Sequence, residues 1–234
     1  MGQKVRPTGF RVGIMTDWLS TWYASKQDFG DLLVEDRKIR TYIKKKYRGA
    51  GLSKIRITRT REKVTVYIHA ARVGVVIGKK GQEVENLTKK LEHLVNRVIE
   101  VKTIEVGRPE VDPQLVAEDI AEQLGKRQSF RRTMKKAIET TMENGAKGIK
   151  VQLAGRLAGA EMARCEVAVQ GSVPLSTLRA RVEYGFTEAA TSQGNIGIKV
   201  WINNGDYLNP QEDSDAANAQ AGKVSKKPAR QGKR

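Results

Sequence analysis

The sequence predicts an α+β chain built as two successive units. Three features carry that prediction. Helical and strand periodicities alternate over residues 28–106. A break rich in glycine and proline, Gly107-Arg108-Pro109-Glu110-Val111-Asp112-Pro113, then interrupts the pattern. After the break come two helical stretches and four alternating ones, the order of a layer in which helices cover one sheet face. The 234 residues suffice for two small cores. The division is an N-terminal arm at 1–16, a first unit at 17–106, a second at 107–207 and a tail at 208–234.

Residues 1–16 are basic and rich in Gly and Pro, with Lys4, Arg6 and Arg11, and read as an extended arm that orders on a partner. Trp18, Trp22 and Tyr23 follow, a lid on their own unit or a contact for another molecule. A helix spans Asp28 to Tyr47 and stops at Gly49–Gly51. Ile55 and Ile57, then Val64, Val66 and Ile68, alternate on two strands joined by a short turn, a hairpin. The apolar turn Val73–Ile77 leads into Gly78-Lys79-Lys80-Gly81. A helix over Gln82–Asn96 carries Val84, Leu87, Leu91, Leu94 and Val95 on one stripe. Val98–Val106 returns to strand. In the second unit helices are expected at 113–126 and 128–144. Strands follow around Ile149–Leu153, Cys165–Val169, Val182–Phe186 and Ile196–Ile202. Two further G-x-x-G spacings, Gly145–Gly148 and Gly194–Gly197, read as a helix stop and a strand-entry turn. Beyond Leu208 the chain is polar and finally basic, a composition that stays disordered alone.

Composition narrows the function. With 43 Lys and Arg against 26 Asp and Glu, the formal net charge is +17, which favours a polyanion partner. A single cysteine, Cys165, permits no disulfide and no cysteine-based zinc site, fits a reducing cytosol, and reads as a packed strand residue. His69 and His93 have no ligand-like neighbour, so neither a metal nor a cofactor is expected. No apolar run reaches the length of a membrane span, and Met1-Gly2-Gln3-Lys4 lacks a signal-peptide core. Gly74–Lys79 is one residue short of a P-loop and has Lys80 where Ser or Thr should hold magnesium. Glu161 is a lone carboxylate without a nucleophile or paired acid, so no catalytic residues are expected.

The basic loop and two basic stretches carry the positive reading. Gly78 and Gly81 flank Lys79 and Lys80 ahead of a helix N-terminus, where a sugar-phosphate can come close to the backbone. Arg131, Arg132, Lys135 and Lys136 fan over roughly 140° of the helix that follows Ser129, at ~100° per residue. Lys135 has Glu139 at helical spacing, whereas Arg131 and Arg132 have no acidic partner there, so the strip suits phosphates. Arg156 and Arg164 sit among small residues in a strand connection, a setting for forked phosphate contacts.

The order helix–strand–strand–short helix–G-x-x-G–helix–strand resembles the type II KH domain (α-β-β-α-α-β), with Val76 and Ile77 lining the cleft for nucleobases. The stretches GQKVRPTGFRVGI (2–14), VVIGKKG (75–81), FRRTMKKAI (130–138), GIKVQLAGRLAGAEMAR (148–164), VPLSTLRARVEYG (173–185) and IGIKVWI (196–202) closely resemble the bacterial small-subunit ribosomal protein S-three family. The resemblance covers about residues 1–205. Departures lie in the 36–63 region and after Tyr207.

The resemblance implies a cytoplasmic, non-enzymatic constituent of the small-subunit head that binds 16S-type rRNA and borders the mRNA entry channel. It implies S-ten and S-fourteen as neighbours, with S-two, S-four and S-five nearby. Arg131, Arg132 and Lys135 match the family's mRNA-facing cations, linked to unwinding of mRNA, with Lys136 beside them. Lys4, Arg6, Arg11, Arg156, Arg164, Arg179 and Arg181 are expected on rRNA. A free-standing KH regulator of mRNA is the other binding-class reading, and a lyase or nuclease the enzymatic one.

Overall fold

The computed structural model describes residues 4–208 of the chain. The tail expected from 208 lies outside the described residues from 209 onward. Two four-stranded sheets, each with its own apolar core and helices, make up the architecture.

The first sheet is built around a hairpin. Helix α1 (Pro7–Arg11) and the two-residue strand β1 (Ser20–Thr21) precede α2 (Phe29–Lys46). Ile39, Ile43 and Tyr47 recur every four residues, so one face of α2 is buried. The chain leaves α2 through a short turn and Gly51, whose left-handed φ of 65° glycine adopts readily. Strands β2 (Leu52–Arg59) and β3 (Lys63–Ala70) pair antiparallel, with Ile57 opposite Val66 and Ile55 opposite Ile68. Helices α3 (Val73–Ile77) and α4 (Gln82–Val95) form the crossover to β4 (Val98–Glu105), which lies parallel to β3. Leu87, Leu91 and Val95 of α4 are buried, while Leu94 is 43% exposed. The sheet order is β1-β2-β3-β4. Two residues carry no period, so β1 had no signature in the sequence.

The second sheet lies under two helices. Asp112 caps α5 (Pro113–Gly125), its carboxylate accepting from the N–H groups of Gln114 at 2.9 Å and Leu115 at 3.2 Å. Pro113 takes the first helical position, where a missing N–H has no consequence. Ile120 and Leu124 of α5 meet Phe130, Met134 and Ile138 of α6 (Phe130–Glu143). Beneath them, β5 (Gly148–Gly155), β6 (Arg164–Gly171), β7 (Ala180–Thr191) and β8 (Gly194–Asp206) run antiparallel in the order β6-β5-β8-β7. Gly185 lets α5 come close: a Cβ there would strike the Pro113 carbonyl.

Several expectations change. The arm is not extended throughout, because Pro7–Arg11 forms a helical turn and Arg11 is fully buried. Cys165 is exposed, because β6 is an edge strand and the side chain points away from the helices. Its sulfur accepts from Gln152 Nε2 at 3.1 Å. Val76 belongs to the core of the first sheet, so its side chain cannot line an open cleft.

Candidate nucleic-acid interface

The glycine-rich loop is a short 3-10 turn, Lys79–Gly81, between α3 and α4. Gly78 has φ 70° and Gly81 has φ 79°. The two are not equivalent. A Cβ on Gly78 would sit 2.5 Å from Glu83 Cγ, whereas one on Gly81 would meet nothing within 4 Å. Glu83 is itself anchored, since Lys46 Nζ lies 2.9 Å from its carboxylate and the Tyr47 hydroxyl donates to its carbonyl at 3.4 Å. Burial works against the Lys46 charge, yet contacts with Tyr47 and Glu83 hold its pKa above the ordinary value. The end of α2 therefore fixes the loop. Val75 and Ile77 flank it with 52% and 38% exposure, and Lys79 is exposed. The Lys80 side chain lies outside the described residues. Glu83 and Glu85 in the first turn of α4 already answer part of its positive end.

Helix α6 presents Arg131, Arg132, Lys135 and Lys136 to solvent. The apolar stripe Phe130, Met134 and Ile138 faces the core, which leaves these four outward. Lys135 has a loose pair with Glu139 at 3.8 Å. Among the described residues, no carboxylate lies within ion-pair distance of Arg131, Arg132 or Lys136. The Phe130 ring gathers two cations, Arg131 at 5.6 Å and Arg164 at 5.5 Å from its centroid. Arg164, which the sequence placed in a separate cluster, thus stands beside the helical strip. It also approaches Glu166 at 3.3 Å.

The remaining candidates divide by employment. Arg156 donates from Nε to the Ala160 carbonyl at 2.9 Å and from Nη1 to Gln193 O at 3.2 Å, tying a loop to the β7–β8 turn. Arg11 donates from Nε to Ala180 O at 2.8 Å and from its terminal nitrogens to Pro7 O at 3.2 Å and Thr177 O at 2.7 Å. Burial pushes its pKa down, and nearby Tyr207 opposes that shift. No face of Arg11 is left for a phosphate. Arg6 lies over the Tyr184 ring at 4.7 Å, and Lys4 is exposed. Arg179 and Arg181 are exposed beside Asp206 at 3.4 Å and Glu183 at 3.2 Å. Sequence reasoning missed Lys44, Arg48 and Arg72, which line a cleft between the two sheets' helices opposite Glu118, Asp119 and Glu122 of α5. Burial raises the Glu118 pKa, and Lys44 and Arg48 are among the groups opposing it. Charge spacing along one helix could not reveal an arrangement that spans two.

Residues 38–111 match the family model described as KH domain, and residues 120–202 match that of ribosomal protein S3, C-terminal domain. The chain is 60% identical to the small ribosomal subunit protein uS3 of Rhodopirellula baltica, over all of both chains. The chain belongs to the uS3 family of small ribosomal subunit proteins. Its identity to the uS3 of Desulforudis audaxviator is 55%, covering 89% of this chain and 95% of that one. For the uS3 of Alkaliphilus oremlandii it is 56%, covering 89% and 88%.

Membership makes the chain a structural, RNA-binding ribosomal protein rather than an enzyme, and a cytoplasmic one as part of the ribosome. Among the described residues no group of three His, Cys, Asp or Glu side chains could hold a metal ion. No helix among them is long and apolar enough to cross a membrane.

Proposed function

We propose that this uS3 chain borders the mRNA entry channel and that α6 guides incoming mRNA and opposes its secondary structure. The observation that carries the reading is the α6 surface, where Arg131, Arg132 and Lys136 face solvent without a carboxylate partner among the described residues. An unpaired cation on a rigid helix can meet a phosphate without first breaking an internal bond. Phosphate contacts of this kind hold the strand without reading its bases. Arg164 joins the strip through Phe130 and extends it toward β6. Lys4, Arg6, Arg179 and Arg181 are exposed and contact rRNA, the last three by exchanging a loose internal partner for phosphate, and Arg156 contributes by holding the shape of its loop. The Gly78–Gly81 loop is a second RNA contact, and the units 17–106 and 107–207 act as two modules on one RNA surface. S-ten and S-fourteen are the proposed protein neighbours, with S-two, S-four and S-five nearby.

The test is made in ribosomes carrying Arg131→Ala, Arg132→Ala and Lys135→Ala together. Translation through a structured mRNA should slow, while subunits still assemble and an unstructured message is read normally. Equal rates on both messages would reject the assignment.

A further inference from the structure

The second sheet has one face under α5 and α6 and another that only the arm touches, where α1 and Arg6 pack at the β7 end beside Val182 and Tyr184. Register assigns the residues of the open face. One row across the four strands is Val169, Lys150, Trp201 and Tyr184, and the next is Val167, Gln152, Lys199 and Phe186. The alternate residues Val151, Leu153, Ile198 and Val200 are buried toward the helices, as a period of two requires. Trp201 on the inner strand β8 and Tyr184 on the edge strand β7 are both half-buried, 5.4 Å apart and tilted by 56°. Phe186 is 40% exposed, and Val167 and Val169 are 50% and 56% exposed.

The charges on this face are nearly all of one sign. Lys150 Nζ lies 5.1 Å from the Trp201 ring, Arg6 reaches Tyr184 from the arm, and Lys199 is exposed between Gln152 and Phe186. Glu188, opposite Gly197, is the acidic side chain at the edge of these rows. Flat rings on a rigid antiparallel sheet, interleaved with flexible cations, form a platform for unpaired nucleotides. The rings stack bases of any sequence, and the cations take the phosphates. A folded protein partner would be matched by acids and apolar side chains together. Here the polar members of both rows are Lys150, Lys199 and Gln152, which suits a polyanion better.

We infer that the open face of the second sheet is an RNA-binding surface, on which Trp201 and Phe186 each stack one unpaired nucleotide. Trp201 and Phe186 are diagonal neighbours, roughly 7–8 Å apart across a sheet, a separation that adjacent splayed nucleotides can span. Lys150 and Lys199 swing from the rings to the flanking phosphates. Arg6 holds the Tyr184 ring and sets the end of the platform. The inference rests on the chain being an RNA-binding protein, and the experiment separates the two.

The full chain is titrated with a fluorescent single-stranded oligoribonucleotide carrying 4-thiouridine, then irradiated, and crosslinked residues are mapped. Attachment is expected at Tyr184, Phe186 or Trp201. Trp201→Ala and Phe186→Ala should each weaken binding by about tenfold, within the range of aromatic stacking on a base. Trp201→Phe keeps a ring and should restore most of the affinity, which distinguishes lost stacking from lost folding. Binding with crosslinks confined to the Gly78–Gly81 loop or α6, and unchanged affinity in both alanine variants, would overturn the platform while leaving the RNA-binding reading intact. No binding at all would overturn both. A photoreactive side chain at Val167 that captures a protein instead of RNA in intact subunits would also overturn it.

Discussion

The cations of the first sheet and those of α6 look alike in sequence and are employed in opposite ways. Arg59 is nearly buried and is held by Asp36 at 2.5 Å and Glu35 at 2.6 Å. Asp36 also accepts from Ser20 Oγ at 2.8 Å and Trp22 Nε1 at 3.0 Å, so one carboxylate fastens β1, α2 and β2 together. Arg40 spends its guanidinium on the carbonyls of Ile55 and Leu19. On α6 the side chains project into water with a single loose ion pair among the four. Net charge therefore overstates the surface available to RNA. What decides is whether a cation already has a partner inside the fold.

The largest effect should come from breaking the buried pair. Asp36→Ala leaves the Arg59 charge buried without its main partner and should cost about 3–5 kcal/mol in chemical denaturation. Arg11→Ala should rank next, at about 2–3 kcal/mol, because it strands carbonyls at Pro7, Thr177 and Ala180. By contrast, replacing Arg131, Arg132 and Lys135 by alanine should move stability by only about 0.5 kcal/mol per site. A large loss there would blur the comparison, since those side chains would then be structural. Within the loop, Gly81→Ala should cost about 1 kcal/mol for its left-handed backbone. Gly78→Ala should cost more, because its Cβ would also displace Glu83. Equal losses would show that Glu83 yields freely.

The smallest effect is a pH dependence. His69 is held below its ordinary pKa of 6.5, first by burial and then by Lys54 and Arg56, with Asp112 opposing. The unfolded chain binds a proton at His69 more readily than the folded one. The stabilisation is thus fully present above about pH 6.5 and fades as pH falls through the folded value. His69→Gln should flatten the decline of the thermal midpoint between pH 7.5 and 5.5 by about 1–2 °C. An unchanged slope would place the acid sensitivity elsewhere.

Much of this fold was legible because its elements are long and periodic. Ile39 and Ile43, or Leu87 and Leu91, declare a helix face by spacing alone, and Ile149, Val151 and Leu153 declare a strand. The α6 strip was legible for the same reason, since angular position along one helix follows from residue number. What escaped depended on residues far apart in the chain. Arg11 looks like any arm cation until the carbonyls near residues 174–180 fold over it. Arg164 joins Arg131 only because β6 begins beside Phe130. Cys165 looked packed because alternation assigns a face, and no local signal told that β6 is an edge strand with that face open. The same open face gives Trp201 and Phe186 a prominence that their positions in the sequence did not reveal.

Whether the α6 cations are free to meet RNA is read from the salt dependence of binding to a single-stranded oligoribonucleotide, comparing the full chain with the Arg131→Ala, Arg132→Ala, Lys135→Ala variant. Each phosphate contact contributes about 0.7 to the slope of log affinity against log salt for single strands. Loss of three contacts should reduce the magnitude of that slope by about 2, with folded stability retained. An identical slope in the two proteins would mean that the α6 cations do not meet RNA.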